Sequence, residues 1–515
     1  MDVRATSLLL PDGVTASAAA GRLAALVAVA AQRAHSVDRT YWDTFDGRLH
    51  RAGRALAQTA DRLVLMDAAT HAEQASAEHR AAARRLLVGD LPPGALRERL
   101  APIVAMRALT PLARVRSRLL PIDVLDDLGK IVVRLRVEEP AVVPRGDGKL
   151  ALRPRLHVRG VRGFDDDFDR VLAILTSQAG LREAPRAVLD DAISALGGTV
   201  GGTPSKLRIT LDPGQRADAA AVTILRRLLD VIEANTPGAL ADVDSEFLHD
   251  LRVAVRRSRA LQRELRGVFA PEPLGFYRDG FRELQALTGA TRDLDVQLLE
   301  FGDLAGGLGD GAGADVAPLR RLLERRLVAE RGRMVAGLRS ARTRALLAGW
   351  REFLDGLGDA PEDDRPDAGR PIADVAAERI GTVYRRMVKM GRAIGDDSPH
   401  EALHDLRKKG KELRYLLEFF SSLYPPQVVR PMVATLKDLQ DVLGRFQDRE
   451  VQADLLRALG DEIAAMGGGA AALMAMGVLV ERLAEQQAEA RAQFAASFAQ
   501  FAAKPQRRIV AETFG

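Results

Sequence analysis

Read for the spacing of its apolar positions, the chain changes character near residue 215. From about Gln215 onward apolar residues recur at helical spacing, predicting helices over 217–235, 244–269, 274–301, 316–338, 340–356, 372–394, 400–423, 428–459 and 470–502. Breaks fall where Pro and Gly gather: Pro237-Gly238, Pro271, the Gly-rich 302–314, the acidic Pro/Gly stretch 357–371, Pro399, Pro425-Pro426 and Gly467-Gly468-Gly469. Val243-Asp244 and Asp397-Ser398 stand where N-caps or pre-caps of the two signature helices are expected. Before residue 195 the pattern is mixed. Apolar and basic residues alternate over Leu112–Leu119, Lys130–Glu138 and Arg153–Val161, which predicts strands. On a strand Arg114, Arg116 and Arg118 share a face, as do Arg134 and Arg136, and Arg153, Arg155, His157 and Arg159. Ser17–Arg33 reads as a small-residue helix with Ser17 at its N-cap. The stretch 196–216, dense in Gly and Pro, is a linker between residues 1–195 and a helical region over 217–505.

One helix stands out by its charge. On Leu248–Arg263, Arg252, Arg256, Arg259 and Arg263 fall within about 80° of one another on the side of His249. Leu248, Leu251 and Val255 occupy the adjoining arc, so a cationic stripe borders the buried face. The pattern returns 155 positions later, where His404, Arg407, Lys411 and Arg414 repeat His249, Arg252, Arg256 and Arg259. Leu284-Gln285 returns as Leu439-Gln440, Gly289 as Gly444, Asp293 as Asp448, and Arg282 as Lys437. A repeat of this length is a duplicated subdomain rather than a solenoid unit. It predicts two helical halves, 217–356 and 372–505, related by a pseudo-twofold axis. Like charges at i,i+4 cost a few tenths of a kcal/mol per pair, so a stripe kept in phase twice implies an anionic partner. Asp293 and Asp448 are placed to buttress Arg or His side chains.

Composition adds bounds. The chain has 515 residues, enough for two or three domains, and 47% hydrophobic content allows full cores. Net charge is only +5 although the pI is about 9.6; the clustering of Arg and Lys therefore says more than the total. No cysteine is present, which excludes disulfide and thiolate chemistry and fits a cytoplasmic protein. No signal-peptide pattern is visible. The uncharged run Ile463–Val480 is Ala-rich and broken by glycines, and reads as two helix ends rather than a membrane span.

HDLRVAVRRSR, TGATRDLDV, HDLRKKGKELRYLLEFF and LQDVLGRFQDREV, in that order, resemble the duplicated signature of the conserved-histidine α-helical domain, the CHAD family, over roughly residues 217–505. Members of that family are helical and bind inorganic polyphosphate, often on polyphosphate granules; the resemblance implies the same ligand and location here. The implied binding residues are His249, Arg252, Arg256, Arg257, Arg259, Arg263 and Arg282 in the first half. In the second they are His404, Arg407, Lys408, Lys411, Arg414 and Lys437, with Arg385, Arg386 and Lys389 on the preceding helix. His249 and His404 read either as structural histidines beside the pocket or as phosphate donors. Asp250 and Asp405 point about 100° away from them, which disfavours a metal site.

The N-terminal region is similar to a second family. YWDTFDGRLHRAGRAL, RLAPIVAMRALTPLARVRSR, KIVVRLRVEE and VRGFDDDF resemble the CYTH, or triphosphate-tunnel, domain in the version that occurs fused to CHAD. That resemblance implies an eight-stranded antiparallel barrel with basic residues for triphosphate and carboxylates for a metal. The family's Glu-x-Glu-x-Lys entry motif is absent from MDVRATSLLLPDG, and RPRLHVRGVRG carries Arg155, His157 and Arg159 where carboxylates are usual. Mg²⁺ chemistry needs several carboxylate oxygens, and the adjacent Glu138 and Glu139 would face opposite ways on a strand. The expectation is a degenerate barrel without catalysis, either a basic anion site or purely structural.

The sequence thus predicts an α+β chain, a degenerate CYTH-like antiparallel barrel followed by an all-α CHAD domain, that binds inorganic polyphosphate without a cofactor or metal. Two other classes stay open: a metal-dependent triphosphatase acting through the barrel, and nucleic-acid binding. Aromatic content of 4% leaves few stacking platforms for single strands. The sequence leaves the oligomeric state undetermined.

Overall fold

The computed structural model describes residues 4–79, 84–144, 148–205, 207, 209–306, 308, 315–467 and 469–515. Part of the Gly-rich break at 302–314 and Gly468 of the triple glycine lie outside the described residues. The chain forms two compact units, residues 1–204 and 205–515.

The first unit is built on one antiparallel sheet. Its strands are β1 (Ala5–Leu9), β2 (Val29–Ala31), β3 (His35–Thr44), β4 (Arg54–Thr59), β5 (Arg62–Asp67), β6 (Glu73–Glu78), β7 (Leu109–Leu125), β8 (Ile131–Val143), β9 (Leu150–Ala151), β10 (Arg155–Gly160) and β11 (Arg182–Glu183). Its helices are α1 (Ala16–Ala24), α2 (Arg48–Arg51), α3 (Ala95–Val104), α4 (Asp165–Ser177) and α5 (Val188–Ala195). The strand order is β11-β1-β10-β8-β7-β3-β4-β5-β6, with β2 on β7 and β9 on β8. Among the described residues the end strands do not pair with each other, so the sheet curls as a half-barrel, more open than the closed barrel the resemblance implies.

Alternation along the strands sorts their side chains. Val133, Leu135 and Val137 of β8 and Leu156 and Val158 of β10 pack under Leu23 of α1 and Phe168, Val171 and Leu175 of α4. The intervening residues point the other way, where α5 lays Val188, Leu189 and Ala192 against Tyr41, Ala57 and Val115. A third cluster joins Trp42, Leu56 and Leu65 to Leu96 and Leu100 of α3. The three expected strands are present; β7 and β8 run longer than expected and β10 is shorter. The expected helix from Ser17 instead starts at Ala16, with the Thr15 hydroxyl accepting from the Ala18 N–H, and the chain leaves it at Ala24 to form β2.

The second unit is helical: α6 (Ala217–Leu240), α7 (Ser245–Glu264), α8 (Pro271–Leu287), α9 (Gly289–Gly306), α10 (Ala317–Leu338), α11 (Ala341–Asp355), α12 (Ile372–Arg392), α13 (His400–Phe419), α14 (Pro426–Ala458), α15 (Gly460–Ala464), α16 (Gly469–Phe501) and α17 (Lys504–Phe514). The 155-residue repeat is visible in the element bounds. α12, α13 and α14 begin at the repeat positions of the first residues of α6, α7 and α8, and α7 and α13 each run for 20 residues. The two halves also touch symmetrically. The Ala217 N–H donates to the Arg370 carbonyl and the Ile372 N–H to the Gln215 carbonyl, each at 2.9 Å. Residues 217 and 372, and 215 and 370, are repeat mates, so this reciprocal pair has the form of an isologous twofold contact.

Local differences from the sequence reading have identifiable causes. Asp244 caps α7, its carboxylate accepting from the Glu246 and Phe247 N–H groups, and Pro399 is the N-cap of α13, with Asp397 and Ser398 in the pre-cap positions. α6 continues through Pro237, which lacks the N–H that would bond the Glu233 carbonyl and crowds that carbonyl with its ring. Gly238 lies against the Phe247 ring, where a Cβ would overlap the ring. The expected helix 274–301 is two helices, broken at Thr288, whose hydroxyl donates to the Leu284 carbonyl at 3.0 Å. Its counterpart, α14, runs unbroken with Leu443 at that position. α17 lies beyond the expected end of the helical domain.

Candidate anion-binding groove

α7 and α13 each bury one face: Phe247, Leu248, Leu251 and Val255 on α7, and Leu403, Leu406, Leu413 and Leu416 on α13. The cationic stripes therefore lie at the edge of the core. Together with α8 they form an open cavity of about 450 Å³ lined by Arg256, Arg259 and Arg263 of α7, Arg278 and Arg282 of α8, and Lys408 and Lys411 of α13. Asp279 and Glu412 are the acidic residues among its walls.

The partners of these cations differ. Arg263 bridges Glu264 at 2.7 Å and Glu412 at 2.9 Å; the two carboxylates are close enough that burial and Glu412 push the Glu264 pKa up. Arg282 reaches Asp279 and Lys408 reaches Asp405, both at 3.2 Å between exposed side chains, contacts worth little in water. Arg259 donates to the Gln285 side-chain oxygen at 2.5 Å. Arg256, Arg278 and Lys411 have no carboxylate partner among the described residues, and the Arg256 Nε is buried without an acceptor. Burial, and then Arg407 and Arg256, lower the Lys411 pKa to about 8. Burial, and then Arg263, Arg282 and Arg278, lower that of Arg259. The cavity thus concentrates positive potential that the protein itself does not neutralise.

Other predicted residues are placed around the groove in supporting or separate positions. Arg252 is buried; its guanidinium donates to the Gln285 carbonyl at 2.9 Å and the Thr288 hydroxyl at 3.0 Å, closing the last turn of α8. Its repeat mate Arg407 instead pairs with the exposed Asp448 at 3.0 Å, while Asp293 acts on Arg252 through space. Arg257 forms an ion pair with Glu418, which also faces Arg414 at 3.5 Å; both guanidiniums lie 5.7 Å from the centre of the Tyr415 ring. His249 Nδ1 accepts from Arg292 at 3.2 Å, and His404 Nδ1 bonds the Gln447 side chain; residues 292 and 447 are repeat mates. Neither histidine lines the cavity. Lys437 and Arg386 are exposed, and Arg385 and Lys389 line a different cavity between α12 and α17. Arg278 was missed by sequence reasoning. Its spacing of four from Arg282 on α8 was the available signal.

In the half-barrel, most inward polar residues neutralise one another; Arg136, its pKa lowered by burial, forms no ion pair among the described residues and its Nε is buried without an acceptor. Glu138 is fully buried and accepts from Arg39 at 2.7 Å, Ser117 at 2.6 Å and His157 at 2.6 Å. Burial alone would raise its pKa; hydrogen bonding and charge from His157, then Arg39 and Ser117, hold it well below the carboxylate range. Burial lowers the pKa of His157, whose Nδ1 lies 2.8 Å from the Ser7 hydroxyl. Glu139 faces the other way, accepting from the Ala16 N–H at 2.6 Å. Arg155 pairs with Asp191. Among the described residues no group of three or more His, Asp or Glu could hold a metal ion. Nor is any helix long and apolar enough to cross a membrane.

Comparison with known proteins agrees with the helical half. The CHAD domain model matches residues 223–457. Two uncharacterized proteins of Mycobacterium tuberculosis, from strains CDC 1551 / Oshkosh and H37Rv, are each 28% identical over 211 residues. The match covers 38% of this chain and 38% of each relative, so the chain spans well under half the length of the curated relatives it matches. Among solved structures, the CHAD domain from the plant Ricinus communis is 25% identical with a TM-score of 0.49, covering 57% of this chain and 96% of that one. PptA from Streptomyces chartreusis is 15% identical with a TM-score of 0.44, covering 55% and 99%. The chain is thus an α+β protein that joins a curled antiparallel sheet to a helical unit. That helical unit matches the CHAD domain, and the half-barrel before it is consistent with a CYTH-like domain.

Proposed function

We propose that the helical unit binds inorganic polyphosphate in the cavity between α7, α8 and α13. The observation that carries this reading is the meeting of the repeat mates Arg256 and Lys411, two cations on different halves held close enough to repel and left without a carboxylate. Polyphosphate carries a negative charge at every unit and no bases. Closely spaced cations on rigid helices fit it, with Arg forking to phosphate oxygens and Lys acting as a point charge. The CHAD match supports the assignment, since members of that family bind this polymer. Nucleic acid is disfavoured because Tyr415, the aromatic residue of the cavity, lies beside two guanidiniums; base stacking needs an open ring. Triphosphate hydrolysis through the half-barrel is disfavoured because the Glu138 carboxylate is already engaged by three donors. In the cell this activity would place the protein in the cytoplasm, on polyphosphate granules.

The test is binding of long-chain polyphosphate to the full chain, with RNA and duplex DNA as competitors. Wild type should bind and resist both competitors. The combined variant Arg256→Ala, Arg259→Ala, Arg278→Ala, Lys411→Ala should lose about a hundredfold or more in affinity, since contacts to charged groups are worth ~1.5–3 kcal/mol each. Undiminished affinity would move the site elsewhere.

A further inference from the structure

The half-barrel links a serine, a histidine and a glutamate on one face of its sheet. β1 and β10 pair with Ser7 opposite His157, and β10 and β8 pair with Arg155 opposite Glu138. Residues two apart on a strand share a face, so Ser7, His157, Arg155 and Glu138 all project to the same side. The Ser7 Oγ lies 2.8 Å from His157 Nδ1, and His157 Nε2 lies 2.6 Å from Glu138 Oε2. The other neighbour of the Ser7 hydroxyl is the Ala69 carbonyl at 3.4 Å, a longer and weaker contact.

The protons in this chain have one consistent arrangement. Glu138 also accepts from Arg39 and Ser117, and its donors hold it ionised. An ionised carboxylate at Nε2 fixes a proton on that nitrogen. Burial lowers the His157 pKa, so the ring is neutral and its Nδ1 lone pair faces the Ser7 hydroxyl. This is the tautomer a general base needs.

A self-contained polar network would need nothing beside it, yet two further features lie next to Ser7. The first is access: Ser7 keeps 8% of its surface and lines an open cavity of about 220 Å³, with His71 and Arg155 among the walls. The second is a spare donor. The terminal nitrogens of Arg155 go to the Arg186 carbonyl and to Asp191, but its Nε is buried without an acceptor. An N–H fixed beside a nucleophile suits the negative oxygen of a tetrahedral intermediate.

We propose that the half-barrel carries a serine esterase site for small carboxylic esters, with Ser7 as nucleophile, His157 as general base and Arg155 as oxyanion donor. Glu138 is a positioning residue that orients the imidazole. Ser7 Oγ bonds to the ester carbonyl carbon as its proton passes to His157 Nδ1, and the carbonyl electron pair moves onto the oxygen beside Arg155. Collapse breaks the ester C–O bond, and the alcohol leaves with the proton from His157. Water then attacks the acyl-Ser7 carbon and gives a proton to His157. The second collapse returns that proton to the Ser7 oxygen and releases the carboxylic acid. A cavity of this size fits a short acyl group and not a long chain. The site uses no residue of the groove and stands whether or not the groove takes polyphosphate.

The experiment is hydrolysis of p-nitrophenyl acetate by the full chain, with covalent labelling by a small dialkyl fluorophosphate mapped by peptide mass. Circular dichroism and thermal melts accompany each variant. Wild type should turn over the ester and carry the label on Ser7. Ser7→Ala should take no label there and lose about a hundredfold or more in kcat, as should His157→Gln, the usual worth of a nucleophile with its base. Glu138→Gln, in its folded fraction, should lower kcat by a similar factor with KM little changed, a split that loss of stability alone does not produce. The groove pair Arg256→Ala with Lys411→Ala should hydrolyse the ester as wild type does, and Ser7→Ala should keep wild-type affinity for polyphosphate. Hydrolysis undiminished in Ser7→Ala would overturn the proposal. So would labelling of Ser7 undiminished in folded His157→Gln, or the absence of both label and turnover in wild type.

Discussion

The half-barrel and the helical groove both carry many basic residues, but the two regions use them in opposite ways. Inside the sheet Arg39 is matched with Glu138 and Arg155 with Asp191, while Arg136, without an ion pair among the described residues, is held beside Glu138 with its pKa lowered by burial. In the groove Arg256, Arg278 and Lys411 have no carboxylate partner among the described residues, and burial, then Arg407 and Arg256, lower Lys411 to about 8. A buried charge must be paired, because desolvation without a partner costs several kcal/mol. A charge at a wet surface tolerates being unpaired, and a cluster of such charges favours binding a polyanion. The contrast teaches that basic-residue content alone does not mark a binding site; cations left unpaired beside an open cavity do.

The largest expected effect breaks a matched charge. Glu138→Gln leaves Arg39 buried without its counter-ion and should cost ~3–5 kcal/mol of stability, measured by urea denaturation, with polyphosphate binding by the folded protein unchanged. A loss below ~1 kcal/mol would mean the sheet interior is wetter than its geometry implies. The pH dependence has a definite sign. Because the folded pKa of Glu138 is held below the ordinary value, its contribution is full above the unfolded pKa near 4.5 and is lost as pH falls through the folded value. The gap between wild type and Glu138→Gln should therefore narrow in acid.

Removing unmatched charges should do the reverse. The four-residue groove variant should melt no lower than wild type, since like-charge repulsion is relieved, while its affinity for polyphosphate collapses. A lower melting temperature would show that these cations hold the helices together.

A smaller effect separates repeat mates. Arg252→Ala removes the donor to the Gln285 carbonyl and Thr288 hydroxyl and should cost ~1–3 kcal/mol. Arg407→Ala breaks a pair whose Asp448 side chain is 61% exposed and should cost under ~1 kcal/mol. Equal costs by denaturation would erase this asymmetry between the halves.

The smallest effect is a titration. Lys411 is cationic below pH about 8 and loses its proton above it. Polyphosphate affinity should fall by up to about tenfold between pH 7 and 9, one charge-assisted contact's worth, and Lys411→Arg should flatten that fall. A profile identical in both proteins would place Lys411 outside the contact.

Much of the helical unit was legible because periodicity and duplication are properties of covalent order. The stripe His249, Arg252, Arg256, Arg259 and its copy fix which helix faces are cationic, and the 155-residue register is visible before any coordinates. The break at Thr288 was not legible, because a hydroxyl bond to Leu284 and a capping guanidinium from Arg252 both depend on packing. The curl of the sheet was hidden for a similar reason. Alternation announces strands but says little about which edges pair.

The sequence by itself determined two helical halves, a strand-rich region before them and the faces on which their cations lie. Only the tertiary structure decided what each cation does. It gave Arg257 to Glu418 and Arg263 to Glu412, buried Arg252 under α8, moved Arg385 and Lys389 to the cavity beside α17, and left Arg256 and Lys411 together. The reason is one of range. Helical phase is set by neighbours a few residues apart, whereas an ion pair requires about 4 Å between atoms, and here the partners lie up to 161 residues apart in the chain.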